Sequence, residues 1–214
     1  MSHISDPIST LLTQNLSREL IMGIEEALTV GAQRAYSATE GMDKGHLPSA
    51  LGQGRHFHMN ESFHRALEVG GAAPSPIKGN GVIRGRSGIL TLARFNIAHG
   101  CWINGRRSTI RRQMALANQA IEPLVQPELF GEYSEPSNAV AFFVACFSGS
   151  LYIQPESPTS IQIAVPSRDM KNWLFKEPLH AFLHRYEQQS TTQDDLVKPK
   201  LKKTRNQDNQ DKAI

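Results

Sequence analysis

Apolar residues recur at helical spacing near the start of the chain: Ile8, Leu11, Leu12, Leu16, Leu20, Ile21, Ile24 and Leu28 share one stripe. Asp6-Pro7 ahead of them supplies an N-cap and a proline for the first helical position. The stripe predicts one amphipathic helix or a bent pair, with Gly23 and Gly31 as the places to bend or stop. Residues 39–54 mix glycine, proline and polar types and read as a connection. A second helix is expected over 60–69, capped by Asn60, with Phe63, Ala66 and Leu67 on its buried face.

The period then shortens. From Ile77 to Ile103, short apolar stretches are divided by Asn80-Gly81, by 85–88 and by His99-Gly100. Asn-Gly between such runs is a strong hairpin signal, so a three-stranded antiparallel meander is expected, with a further turn at Asn104-Gly105. Alternation puts Leu90, Leu92, Arg94 and Asn96 on one strand face and Ile89, Thr91, Ala93, Phe95 and Ile97 on the other. Ser108 is placed to cap a helix whose stripe is Ile110, Met114, Ala117, Ile121 and Leu124, and Pro123 limits its length. After a connection over 122–137, the uniformly apolar run Ala139 to Phe147 reads as a central strand, with Ser160 to Val165 as its partner. Glu177-Pro178 opens a last helix that carries Leu179, Phe182, Leu183 and Tyr186.

This order predicts an α+β domain over 1–188: an antiparallel β-meander and hairpin packed with N-terminal helices, one central helix and one C-terminal helix. Residues 1–70 form its helical part and 76–188 its sheet with helices. Residues 189–214 have no aromatic, six bases and four acids, and read as a disordered basic tail.

Composition narrows the class without naming a function. With 39% hydrophobic and 20% charged residues in 214, the chain is expected to fold. A net charge of +3 excludes a strongly acidic binder. The longest apolar run is nine residues, against about 20 for a membrane helix, and no basic-then-apolar leader opens the chain. Cys101 and Cys146 lack motif spacing and read as reduced, packed thiols. The expectation is a cytoplasmic protein without cofactor, bound metal or membrane contact.

Charge distribution is more informative than its sum. Between Glu68 and Glu122 lie 53 residues without an Asp or Glu, and they carry Lys78, Arg84, Arg86, Arg94, Arg106, Arg107, Arg111 and Arg112. Residues 122–187 instead hold eight acids. Guanidinium forks suit phosphate oxygens, and the expected helix start at Ser108 favours an anion. The seven arginines are therefore candidate nucleic-acid contacts, with Phe95 or Trp102 available to stack on bases. The same arginines could instead pair with acids of the C-terminal half, face an acidic protein, or hold a small phosphorylated ligand.

His56, His58, Glu61 and His64 form a second candidate group, able in principle to serve as acid and base or to ligate a metal. Their steps of two, three and three differ from the H-E-x-x-H spacing of a zinc helix, and with Asn60 as a cap His56 and His58 fall in a loop. Gly79-Asn80-Gly81 lacks the preceding histidine and following arginine of an adenylyl-transferring Fic loop. Arg94 and His99 have the R-x4-H spacing of HEPN ribonucleases but lie on a predicted strand. No phosphate-binding glycine loop, nucleophile elbow or CxxC pair occurs. Three readings follow: a cytosolic DNA- or RNA-binding protein, a small nuclease acting as toxin or effector of a bacterial toxin-antitoxin or defence pair, and a non-enzymatic protein partner.

Overall fold

The computed structural model describes residues 6–125, 136–149 and 154–193, with side chains through Glu187. Helix α1 (Pro7–Asn15) starts where the sequence places it: the Asp6 carboxylate accepts from the Ile8 amide at 3.1 Å, and Pro7 follows. The N-terminal stripe is a bent pair. It bends at Leu16 and Ser17, however, not at Gly23 or Gly31. Ser17 caps helix α2 (Arg18–Thr39) by accepting from the Leu20 amide at 3.1 Å, and both glycines lie inside α2. Gly31 serves another purpose, because a Cβ there would lie 2.7 Å from the Met59 Cα. Its absence lets the next helix approach closely.

That helix, α3 (Leu47–Val69), corrects two expectations at once. Most of 39–54 is not a connection, and Asn60 is no cap but a buried mid-helix residue. The buried face of α3 runs Leu51, Arg55, Met59, Phe63 and Leu67, steps of four throughout. Arginine in the second position hides the stripe from an apolar-periodicity reading.

Five strands follow: β1 (Arg84–Ser87), β2 (Leu90–Ala98), β3 (Ala139–Phe147), β4 (Ser160–Pro166) and β5 (Trp173–Pro178), in the order 1-2-3-4-5. With the helices they make an α+β fold whose sheet is mostly antiparallel. The exception is β2, which runs parallel to β3 from Leu90↔Ala139 to Ala98↔Phe147. The expected meander is therefore a two-stranded hairpin, β1–β2, turning at Gly88 and Ile89. Asn80-Gly81 does not join strands; it closes a local turn in which the Gly81 amide donates to Lys78 O. Asn104-Gly105 lies in a 3₁₀ segment (Trp102–Arg107).

The expected long helix after Ser108 is broken into α4 (Thr109–Ala115), a 3₁₀ turn (Leu116–Ala120) and α5 (Glu122–Val125). The break is physical, since the stripe serves two cores on opposite faces of the sheet. Met114 and Ala117 pack with Ala93, Phe95, Val140, Phe142 and Val144 on one face. Ile121 and Leu124 pack with Leu92, Phe143 and the helices α1 to α3 on the other. Asn118 pins the crossing point, donating to Val140 O and Pro166 O and accepting from the Val140 amide at 2.6 Å.

Central strand β3 is buried along its whole length, as its unbroken apolar run predicts. Strand β5 was not foreseen from the sequence. It leads into α6 (Leu179–Gln193), which brings Leu179 and Phe182 onto the helical core. Helix α6 runs through 189–193, which the sequence assigns to the tail, and residues 194–214 lie outside the described residues. Cys146 is buried and Cys101 exposed, both as free thiols. Among the described residues no helix is long and apolar enough to cross a membrane.

Candidate nucleic-acid interface and the arginines beneath it

Strand geometry sorts the arginine block. Arg84 stands opposite Ala93 and Arg86 opposite Thr91, so both project from the sheet face that carries Ala93, Phe95 and Ile97. Both are exposed. The connection that bears Arg106, Arg107, Arg111 and Arg112 packs against that same face, through Trp102, Met114 and Ala117. Arg107 and Arg112 are exposed and Arg106 half-buried. Among the described residues the ion pairs involve Arg18, Arg34, Arg168, Lys171, His184 and Arg185; none involves Lys78 or an arginine of the block. Among the described acids of the C-terminal half, Glu122 pairs with Arg168, Asp169 with Lys171 and Glu177 with Arg185.

Arg111 has a different task. Its Nε donates to Gly105 O at 2.8 Å, its Nη2 to Asn104 O, and its guanidinium lies 4.6 Å from the centroid of the Phe95 ring. Burial lowers its pKa from the ordinary arginine range. Phe95 is thus covered and cannot stack on a base, which corrects the sequence expectation. Trp102 is half-buried, edge-on to Trp173 at 5.0 Å, with Lys176 Nζ 4.7 Å from its ring. The Ser108 side chain already accepts from the Arg111 amide, and α4 is only seven residues long. Its start adds little as an anion site. Exposed Ile103, Ile110 and Leu116 lie among the arginines of this connection.

Arg94 leaves the group altogether. It projects from the opposite face, into the seam between sheet and α3, and is 7% exposed. Its Nε donates to Asn60 Oδ1, its Nη1 to Asn96 Oδ1 and its Nη2 to His56 O, each at 2.9 Å. Arg55, one helical residue before His56, is 6% exposed and was missed by the sequence reading. It donates to Gln154 Oε1 at 2.9 Å and to Pro155 O, lies 3.9 Å from the Phe147 ring centroid, and leaves its buried Nε without a partner. Burial pulls the Arg94 pKa down to about 9 and the Arg55 pKa to about 10, so both stay charged at neutral pH. The only sequence signal for either was an arginine at an apolar position of a repeating pattern.

The histidine segment does not converge. All four residues lie on α3, His56 and His58 included, rather than in a loop. Glu61 pairs with Arg34 of α2 at 3.4 Å, while His56 Nε2 meets Asn60 Nδ2 at 3.3 Å on the flank toward β2. Burial, and secondarily the Arg94 charge, lowers the His56 pKa. His58 Nδ1 is buried without a hydrogen-bond partner. Among the described residues no three His, Cys, Asp or Glu side chains stand where they could hold a metal ion. Comparison with protein families, with curated proteins and with solved structures finds no match.

Proposed function

We propose that the protein binds nucleic acid through its phosphates, using Arg84 and Arg86 of β1 with Arg106, Arg107 and Arg112 of the connection that follows β2. One observation carries this reading: these five guanidinium groups lie on elements of one side of the sheet and have no carboxylate partner among the described residues. Like charges held together without counter-ions repel one another, and a polyanion relieves that repulsion. Exposed Ile103, Ile110 and Leu116 offer apolar contact to sugars and bases beside the phosphate contacts. The contacts are non-specific in kind, since arginine forks on phosphate carry no sequence information.

The test is fluorescence anisotropy with labelled single-stranded DNA, single-stranded RNA and duplex DNA across a salt series. Affinity is expected to fall linearly on a log–log plot, with a slope near 0.9 per phosphate contacted on duplex and near 0.7 on single strands. The Arg84→Ala/Arg86→Ala double variant should shed about two contacts from that slope. Absence of salt-sensitive binding to all three at low salt would overturn the proposal. Co-purification with a stoichiometric acidic protein, and no nucleic acid, would assign the surface to that partner instead.

A further inference from the structure

We propose that a cleft at the carboxyl ends of β2 and β3, on the Arg55 side of the sheet, is a binding site for a phosphate monoester carried on a small, partly apolar molecule. The cleft measures about 630 Å³ and is lined by Arg55, Asn96, Asn104, Phe147, Ser148 and Gln154 among others. Its size falls in the range of small-molecule sites, roughly 300–1,000 Å³, and exceeds what a bare phosphate needs. It opens where two neighbouring strands run out on the same edge of the sheet. Here β2 and β3 are the parallel pair, and they end together at Ala98 and Phe147.

Charge identifies the ligand class. Two guanidinium groups are buried here, Arg55 in the wall and Arg94 behind Asn96, and neither meets a carboxylate among the described residues. Every acceptor given to them is neutral: Asn60, Asn96, His56 O, Gln154 and Pro155 O. Neutral acceptors satisfy donors but leave net charge in a poorly solvated place, which is costly. A phosphate monoester brings about −1.5 to −2 charges at pH 7 and matches the two cations, whereas a carboxylate brings one.

The donors suit such a group. Asn96 must turn its oxygen to Arg94, so its amide N–H groups face elsewhere; one points toward Met59 Sδ at 3.5 Å, a weak acceptor that leaves the second free for a ligand. The Arg55 Nε is buried out of reach of the cleft and its Nη atoms are held by Gln154 and Pro155, so Arg55 acts on the ligand through its charge. Phe147 and Ile97 provide apolar wall for the rest of the molecule. Arg84 and Arg86 project from the opposite face of the sheet, so this site does not rest on the nucleic-acid reading.

The experiment is calorimetric titration of the full chain with inorganic phosphate, phenyl phosphate and benzoate at constant ionic strength. Saturable binding of inorganic phosphate is expected, tenfold or more tighter binding of phenyl phosphate, and weaker binding of benzoate. Arg55→Gln should weaken phenyl phosphate at least tenfold, while Arg84→Ala/Arg86→Ala leaves it unchanged. Should Arg55→Gln fail to fold, Asn104→Leu, which removes another polar wall residue of the cleft, should weaken phenyl phosphate measurably. No saturable heat from either phosphate, benzoate binding as tightly as phenyl phosphate, or full affinity in the folded variants would overturn the proposal.

Discussion

Arg94 and Asn60 meet across the boundary between sheet and helix, the Arg94 Nε donating to Asn60 Oδ1 at 2.9 Å with both residues buried. The contact fixes which face of α3 looks at β2. It also accounts for Asn60, a residue with little reason to sit mid-helix on propensity alone. Without it, α3 would bury a donor group of a charged side chain with no acceptor.

Replacing Asn60 with leucine should therefore cost about 2–3 kcal/mol, the usual loss for a buried hydrogen bond to a charged group. Urea unfolding at neutral pH measures it. Adding Arg94→Leu to Asn60→Leu should recover part of that loss, because removing both polar partners is milder than orphaning one. A double variant no more stable than the sum of the two single losses would mean the pair is not coupled.

Gly88 is the turn residue of the β1–β2 hairpin, with φ of +55°, and a Cβ there would lie 2.0 Å from Asn15 Oδ1. That oxygen accepts from the Ile89 amide at 3.1 Å, which joins the hairpin to the end of α1. Gly88→Ala is expected to lower stability by about 1–3 kcal/mol. Asn15→Ala alone removes the Ile89 contact, and in the double variant the overlap is gone as well, so a double variant more stable than the sum of the two single losses isolates the overlap from the backbone cost.

Asn118 makes three buried hydrogen bonds with the backbone of β3 and β4. Asn118→Leu should destabilise by about 3 kcal/mol, at about 1 kcal/mol for each bond. Thermal and chemical unfolding should agree on the loss, and a change within about 0.5 kcal/mol would contradict the pinning role.

Neighbouring arginines of α4 should respond in opposite ways. Arg111→Ala removes the cover of Phe95 and two backbone contacts, so stability should fall by about 1–2 kcal/mol. Exposed Arg112 makes only a local contact with Thr109, so Arg112→Ala should keep stability and lower the nucleic-acid salt slope by about one phosphate contact. Unfolding curves and anisotropy titrations on the same two preparations check both halves.

Alkaline stability should report on Tyr186. Its hydroxyl donates to Leu16 O at 2.6 Å, and burial, then the Glu19 charge, raises its pKa above the ordinary tyrosine value. The folded state thus holds the proton more tightly than the unfolded state. Stability is fully present below about pH 10 and declines as pH rises above it. Tyr186→Phe should lose about 1 kcal/mol at pH 7 and show a shallower decline above pH 10 than the parent, as read from urea midpoints across that range.

Where local chemistry and burial agreed, the chain could be read directly. Asp6-Pro7 and Ser108 mark helix starts because a short oxygen-bearing side chain satisfies amides that no helix partner reaches. The run from Ala139 to Phe147 could only be covered on both faces, and it is. The alternation along β2 placed Leu90 and Leu92 opposite Ala93, Phe95 and Ile97, as observed.

Misreadings cluster where a side chain answers to a distant partner. Asn60 resembles a cap because its amide could serve neighbouring backbone, yet it serves Arg94 instead. Arg55 breaks the apolar stripe of α3 because Phe147, Gln154 and Pro155 await it 92 or more residues away. Asn80-Gly81 signals a hairpin by turn chemistry, but β2 finds its second neighbour in β3, a pairing no local signal announces.

The helix starts at Pro7 and Thr109, strand alternation, the doubly buried strand and the gathering of arginines in an acid-free segment were all decided within the chain, since each depends on residues a few positions apart. The parallel pairing of β2 with β3, the division of the arginines between two faces of the sheet, and the burial of Arg55 and Arg94 were decided only on folding. These depend on which surfaces meet in space, and sequence distance carries no information about that.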